Sequence, residues 1–268
     1  MRSRTAKTLT CTLLLAWTLW APPAHAAITL LGSGIFAAST GSDGVTTGTY
    51  DTTAGGGATL IVAAVSSYND RWGSGLVTDN QSNVYTALTK QFPALGSSTS
   101  RLFYKNNPTT STVHTFSVAV SCGACYPDLF VYAFTGTDTT APFEVENGAT
   151  ATGSPTSIQT GGGVAPAADG AVIITSVSDN LGTGTAQAVN SGFTISTTYG
   201  FVGGQHGAGA AAYLIQGAHA TVDPTWSSLS GSDAASTIAA FKAAGGGGGP
   251  PGCKNGLLLR GAGCEDHP

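Results

Sequence analysis

The stretch TVHTFSVAVSCGACYPDLFVYAFT, residues 112–135, decides between two kinds of fold. A Cys-x-x-Cys pair serves redox chemistry when it opens a helix, because the helix N-terminus lowers the thiol pKa. Here Cys122 and Cys125 lie between TVHTFSVAV (112–120) and DLFVYAFT (128–135), two runs rich in β-branched and aromatic residues. Such runs read as strands. The cysteines are then expected to form a staple at a hairpin turn of an all-β protein. A structural zinc site needs four converging ligands, and the other pair, Cys253 and Cys264, stands beyond a glycine-rich linker.

The same signature recurs outward from this stretch. Strand-like runs occur at ITLLGSGIF (28–36), ATLIVAAVSSY (58–68), NVYTALTK (83–90) and SRLFYKN (100–106). Others follow at AVIITSVSD (171–179), GFTISTTYG (192–200), GAAAYLIQ (209–216) and ASTIAAFKA (235–243). Clusters of Gly, Ser, Asn, Asp and Pro separate them, and no segment shows sustained helical periodicity with caps. Many short strands at such intervals predict an antiparallel β-sandwich or jelly roll.

Four of the runs repeat in order. LIVAAVSS (60–67) matches VIITSVSD (172–179), RLFYKN (101–106) matches AAYLIQ (211–216), TVHTFSVAVS (112–121) matches ATVDPTWSSL (220–229), and LFVYAF (129–134) matches STIAAF (236–241). The offsets drift from 112 through 110 and 108 to 107. This predicts two half-sandwich repeats, about 58–135 and 171–243, within one domain spanning 27–244.

The chain opens with Arg2, Arg4 and Lys7, a short apolar core over 12–20 and AHA at 24–26. These are the parts of a secretory signal peptide, with the mature chain starting near Ala27. The expected location is periplasmic or extracellular, where four remaining cysteines imply two disulfides, Cys122–Cys125 and Cys253–Cys264 in the simplest pairing. Only 9% of the residues are charged while 41% are hydrophobic, so Ser, Thr, Asn and Gly must make the polar surface. There is no Lys/Arg cluster for nucleic acid and no later run long enough to span a membrane. GGGGGPPG (245–252) reads as a linker, and residues 253–268 as a short tail closed by its cysteines.

Several residues then carry a resemblance. VTDNQSNVYTAL (77–88) resembles the Asp-x-x-x-Asn-x-Tyr-Thr hairpin of a family of exported bacterial β-sandwich proteins. DLFVYAFTGTDTTAPFE (128–144) resembles that family's strand and Gly-x-Asp-x-x-x-Pro turn, and NSGFTIS and STIAAFKAAG its second half. The resemblance covers about residues 28–243. It implies a lectin-like jelly roll in secreted or cell-surface proteins, with no catalytic motif. The Cys122/Cys125 pair departs from the family pattern.

Candidate chemistry is sparse. The loop SSYNDRWGSG (66–75) holds Tyr68, Asp70, Arg71 and Trp72 together, the residue types that stack on a sugar ring and hydrogen-bond its hydroxyls. The matching loop SDNLGTG has no aromatic residue. Glu144 and Glu146, two apart on an extended segment, would share one face roughly 7 Å apart, a spacing that suits glycoside hydrolysis. Calcium would find hard oxygens at Asp79, Asn80 and Asn83, and at Asp179 and Asn180. His114, flanked by threonines, is expected on a solvated strand face, and His206 in GGQHGAG in a turn. The expectation is a secreted, non-catalytic binding or surface-interaction module contacting a glycan or cell-surface component. The alternatives are a polysaccharide hydrolase using the carboxylate pair and a structural envelope or matrix protein.

Overall fold

LIVAAV has no polar alternation because both its faces are covered. In strand β4 (Leu60–Tyr68), Leu60, Val62 and Ala64 point into one apolar core, and Ile61, Ala63 and Val65 into another. A strand buried on both sides needs an unbroken apolar run. Each such side chain contributes on the order of 1.5–3 kcal/mol if large and fully buried.

The computed structural model describes residues 26–39, 43–68, 76–94, 97–120, 125–180, 187–195, 202–203 and 208–245. Residues 1–25 of the expected signal peptide, 246–252 of the expected linker, the tail with Cys253 and Cys264, and Cys122 lie outside the described residues, as do Asp70, Arg71, Trp72, His206 and His267. The described chain is antiparallel β throughout, with one 3-10 turn at Ala54–Gly56. Among the described residues no helix is long and apolar enough to cross a membrane.

The first unit comprises β1 (Thr29–Leu30), β2 (Ile35–Ala38), β3 (Gly44–Thr46), β4, β5 (Leu76–Asp79), β6 (Thr86–Ala87), β7 (Ser98–Asn106), β8 (Phe116–Ala119) and β9 (Asp128–Thr135). The second comprises β10 (Phe143–Thr152), β11 (Ser157–Gln159), β12 (Val172–Asp179), β13 (Ala188–Val189), β14 (Val202–Gly203), β15 (Ala208–Ile215), β16 (Thr225–Ser227) and β17 (Asp233–Phe241). The first unit's large sheet runs β1-β9-β4-β7-β6, with β2 also on β9, over a small sheet β3-β8-β5. The second unit's large sheet runs β10-β17-β12-β15-β14 over a small sheet β11-β16-β13. The orders correspond strand for strand.

Each repeat is therefore a complete two-sheet unit and not the half-sandwich expected from the sequence. The two large sheets face each other: β4 packs on β12, β7 on β17 and β9 on β15. The result is four layers with three cores, one inside each unit and one between the large sheets. The facing order is that of a two-fold relation along the strands.

The ladder registers refine the repeat. Leu60 pairs with Asn106 and Phe134, and Val172 with Ile215 and Phe241, so the offsets are 112 for β4/β12 and 107 for β9/β17. For β7/β15 the offset is 109, one less than the sequence alignment. A one-residue slip exchanges the two faces of a strand. With the corrected register Tyr104 corresponds to Tyr213, and Phe103 to Ala212. The pairs Val118–Val77 and Trp226–Val189 set Val118 against Trp226. Large and small residues thus trade places: Phe103 with Val118 fills the first interior, Ala212 with Trp226 the second. Trp226 is fully buried and its Nε1 donates to Thr175 Oγ1 at 3.0 Å.

Other departures have local causes. ITLLGSGIF is two strands, because Gly32 and Gly34 take φ of +57° and +76°, and a Cβ on Gly34 would lie 2.9 Å from the Val131 carbonyl oxygen. NVYTALTK contributes only β6, and the described part of GFTISTTYG only a bridge from Thr194 to Tyr213. The ten-residue β10 begins in the extended segment expected around Glu144 and Glu146 and runs on to Thr152. Its small residues, including Gly148, suit an edge lying close to the first unit, where a Cβ on Gly148 would sit 2.5 Å from the Gln91 side chain.

Strands β4 and β12 both end at one pole of the stack, the head. At the opposite foot the two chain ends of the body meet, with Ala26 N donating to the Ala244 carbonyl at 3.4 Å.

Candidate functional site

The seam between the large sheets changes character along its length. Toward the foot it is aromatic: Tyr104, Phe143 and Phe241 interlock, as do Tyr132, Phe134 and Tyr213. Toward the head it is polar. Ser66 Oγ donates to the Val177 carbonyl at 2.9 Å, Ser178 Oγ to the Ser67 carbonyl at 3.3 Å, and Ser100 Oγ lies 2.8 Å from Ser176 Oγ and 3.0 Å from Thr237 Oγ1.

Three carboxylates lie at the head. Asp128 is pushed well above the usual carboxylate range by complete burial, with only the Gly209 backbone N–H opposing. Asp179 is also raised by burial and by the charge of Asp233, against N–H donors from Ser230 and Gly231 at 2.8 Å each. For Asp233 burial is outweighed by donors from Ser97, Ser98 and Asn180, and its carboxyl is held low. Asp233 thereby bridges the second unit to the start of β7. Ser67 Oγ and Thr99 Oγ1, opposite one another on β4 and β7, are buried without hydrogen-bond partners, as are both amide atoms of Gln187. Sequence reasoning missed this polar head. Its signal was available as Asp at the starts of β9 and β17 and Ser within otherwise apolar runs.

The last residues of β4, β8 and β12 and the first residues of β5, β9 and β13 lie at the head. Tyr68, the last residue of β4, is half-buried and its N–H donates to the Cys125 carbonyl at 2.7 Å. Leu76, the first residue of β5, is 68% exposed. These two residues bound the stretch that holds Asp70, Arg71 and Trp72.

The Asp-x-x-x-Asn-x-Tyr-Thr hairpin is a half-buried bracket at the foot of the first unit. Asp79 Oδ1 accepts from the N–H groups of Gln81 and Asn83, and Oδ2 from Asn83 Nδ2 and from the Tyr85 hydroxyl at 2.7 Å. His114 Nε2 lies 3.0 Å from Asp79 Oδ2, and its Nδ1 lies 3.0 Å from Thr52 Oγ1. His114 is fully buried and stacked on Phe116, which corrects its expected place on a solvated face. Burial lowers its pKa, against the opposing pull of Asp79. Burial would raise Asp79, but the donors outweigh it and hold the carboxyl low; burial and the Asp79 charge push Tyr85 well up.

The oxygens expected to hold calcium face donors instead. Beyond Asp79, Asn80 Oδ1 accepts from Thr115 N, and Asn83 Oδ1 from Thr109 N. Asp179 and Asn180 are buried in the head network. An oxygen already accepting N–H bonds would have to leave them to bind a cation.

Glu144 and Glu146 do not share a face. The register of β10 against β17 shifts between Phe143 and Val145, leaving Glu144 as the extra residue of a bulge. A bulge of this kind resets the alternation of side chains. Glu146 turns to the first unit, accepting from Thr89 N and Oγ1 at 2.9 Å. Glu144 accepts from Ala167 N within the second unit, and burial raises its pKa against that bond and Lys242. His219 is exposed, with Nδ1 2.7 Å from Asp169.

No family model, no curated protein and no solved structure matches this chain, so its functional reading rests on the geometry of the head and the outer faces.

Proposed function

We propose that the protein is a secreted, non-catalytic binding module that contacts a glycan or cell-surface component through the loop between β4 and β5, with Tyr68, Asp70, Arg71 and Trp72 as the contact residues. The observation that carries this reading is the anchoring of the loop. It leaves a strand buried on both faces at the half-buried Tyr68 and returns at Leu76, an apolar residue 68% exposed. Loops held by rigid scaffolds are where binding residues concentrate. The counterpart connection in the second unit has no aromatic residue, so the duplication carries its decoration on one side. The strand order of each unit supports a jelly roll, and the opening residues support export. Cys125 is fully buried and its carbonyl accepts from Tyr68 N at the end of β4, a sheltered position that supports a Cys122–Cys125 staple.

The test is a glycan array with the mature protein and Trp72→Ala, with and without calcium. Trp72→Ala should abolish binding while changing the melting temperature by less than about 2–4 °C, the shift of roughly 1 kcal/mol in a chain of this size. If Trp72→Ala unfolds the protein and residual folded material still binds, the loop is scaffold.

A further inference from the structure

The outer faces of the two small sheets are free of charge and built to one pattern. In β3-β8-β5, Val45, Val118 and Val77 point inward. Outward stand two cross-strand rows, Gly44–Ala119–Leu76 and Thr46–Ser117–Thr78. In β11-β16-β13, Ile158, Trp226 and Val189 point inward. The outward rows are Ser157–Ser227–Ala188, and Gln159–Thr225 continued by Asn190, whose Oδ1 accepts from Thr225 N at 2.8 Å. Thr46, Thr78, Ala119, Ser157, Gln159, Ala188 and Asn190 are exposed. Among the described residues the cationic side chains are Lys90, Arg101, Lys105 and Lys242, none of them on these sheets. Hydroxyls stand at about the 4.8 Å strand spacing across all three strands in Thr46–Ser117–Thr78 and across two in Ser157–Ser227, and Thr46 Oγ1 lies 2.8 Å from Ser117 Oγ.

We propose that these two faces dock on neutral, hydroxyl-rich polysaccharide surfaces, and that one molecule bridges two of them. The commitment to this occupant comes from complementarity. A polyanion would need cations that the faces lack, and a stable protein interface is centred on aromatic and aliphatic anchors, where these rows, apart from Leu76 at the end of one of them, offer hydroxyls, amides and small side chains. Neutral polysaccharide presents the matching array of donors and acceptors. The faces cap opposite ends of the four-layer stack, so a single molecule cannot lay both on one surface. The inference rests on the glycan-binding reading above but assigns different residues to it.

The experiment is co-sedimentation and bundling with microcrystalline cellulose, chitin and insoluble β-1,3-glucan, with pectate gel as the charged control. The variants are Thr46→Lys/Thr78→Lys on one face and Ser157→Lys/Gln159→Lys on the other, with unchanged melting as the check on folding. Each pair should leave sedimentation but abolish bundling. The quadruple variant should lose at least about tenfold in apparent affinity, the equivalent of one or two neutral hydrogen bonds. Binding to a neutral polymer that the quadruple variant retains and Trp72→Ala abolishes overturns this inference and leaves the loop reading standing. Preference for pectate, or no sedimentation with any neutral polymer, also overturns it.

Discussion

Gly209→Ala probes a close approach between the two units. Gly209 lies on β15 with ordinary negative φ, and a Cβ there would meet Ser66 Cβ at 2.6 Å, Ser66 Oγ at 2.7 Å and Asp128 Oδ2 at 2.9 Å. Carbon contacts settle near 3.5–4.0 Å, so β15 would have to retreat by roughly 1 Å from β4 and β9. Both sheets are covered on both faces and have little room to move. Overpacking of this kind costs about 1–3 kcal/mol. Against it stands about 0.4–1 kcal/mol gained by restricting the unfolded chain. The net expectation is a loss of about 1–2 kcal/mol, or a fall of roughly 2–8 °C in Tm. Gly217→Ala, with nothing within 4 Å of its Cβ, isolates the second effect and should stabilise the protein. Ser66→Gly combined with Gly209→Ala should recover part of the loss, with a coupling of at least about 0.5 kcal/mol. Urea unfolding monitored by circular dichroism measures the native protein, Gly209→Ala, Ser66→Gly, their double variant and Gly217→Ala. If Gly209→Ala is as favourable as Gly217→Ala, or if the double variant is merely additive, the seam is looser than these distances imply.

Two pH predictions follow from the buried groups. Asp128 is raised in the fold, so its stabilising contribution is complete below the ordinary carboxylate range and is lost as pH climbs through the folded value. Asp128→Asn should therefore match the native protein near pH 4 and exceed it at neutral and higher pH, in urea midpoints at each pH; equal midpoints throughout would contradict the burial of an ionisable carboxyl. His114 is lowered, so its contribution is complete above the ordinary value of about 6.5 and is lost as pH falls below it. His114→Val, which installs the residue found at its repeat counterpart Val222, should flatten the stability slope below that pH by up to about 1.4 kcal/mol per pH unit, and an unchanged slope would place the acid sensitivity elsewhere.

How far the sequence reveals this fold depends on what each residue can report locally. The runs that became β4, β9, β12 and β17 were readable because burial on two faces demands continuous apolar residues. Only the start of β10, around Glu144 and Glu146, was readable as extended, because an edge strand close to a neighbour selects small residues, and GATAT resembles a loop. His114 reads as solvated because threonines flank it; it pairs with Tyr50 in an isolated antiparallel bridge, and the partners of its ring, Asp79 and Thr52, come from far along the chain. The bulge at Glu144 has no local signature, since it is set by the register with β17. The repeat was visible as order and offset. That each copy is a whole two-sheet unit depended on the short strands β3, β5, β11 and β13, two to four residues each, too short for periodicity to register.

The meeting of Ala26 and Ala244 at the foot makes the order of the two units along the chain a matter of history more than of mechanics. Each unit holds its own strands in its own sheets, and the seam between them does not depend on which is synthesised first. A circularly permuted protein, closed across that foot contact and opened between the exposed Thr139 and Thr140, would present the same seam, head and outer faces with the second unit leading.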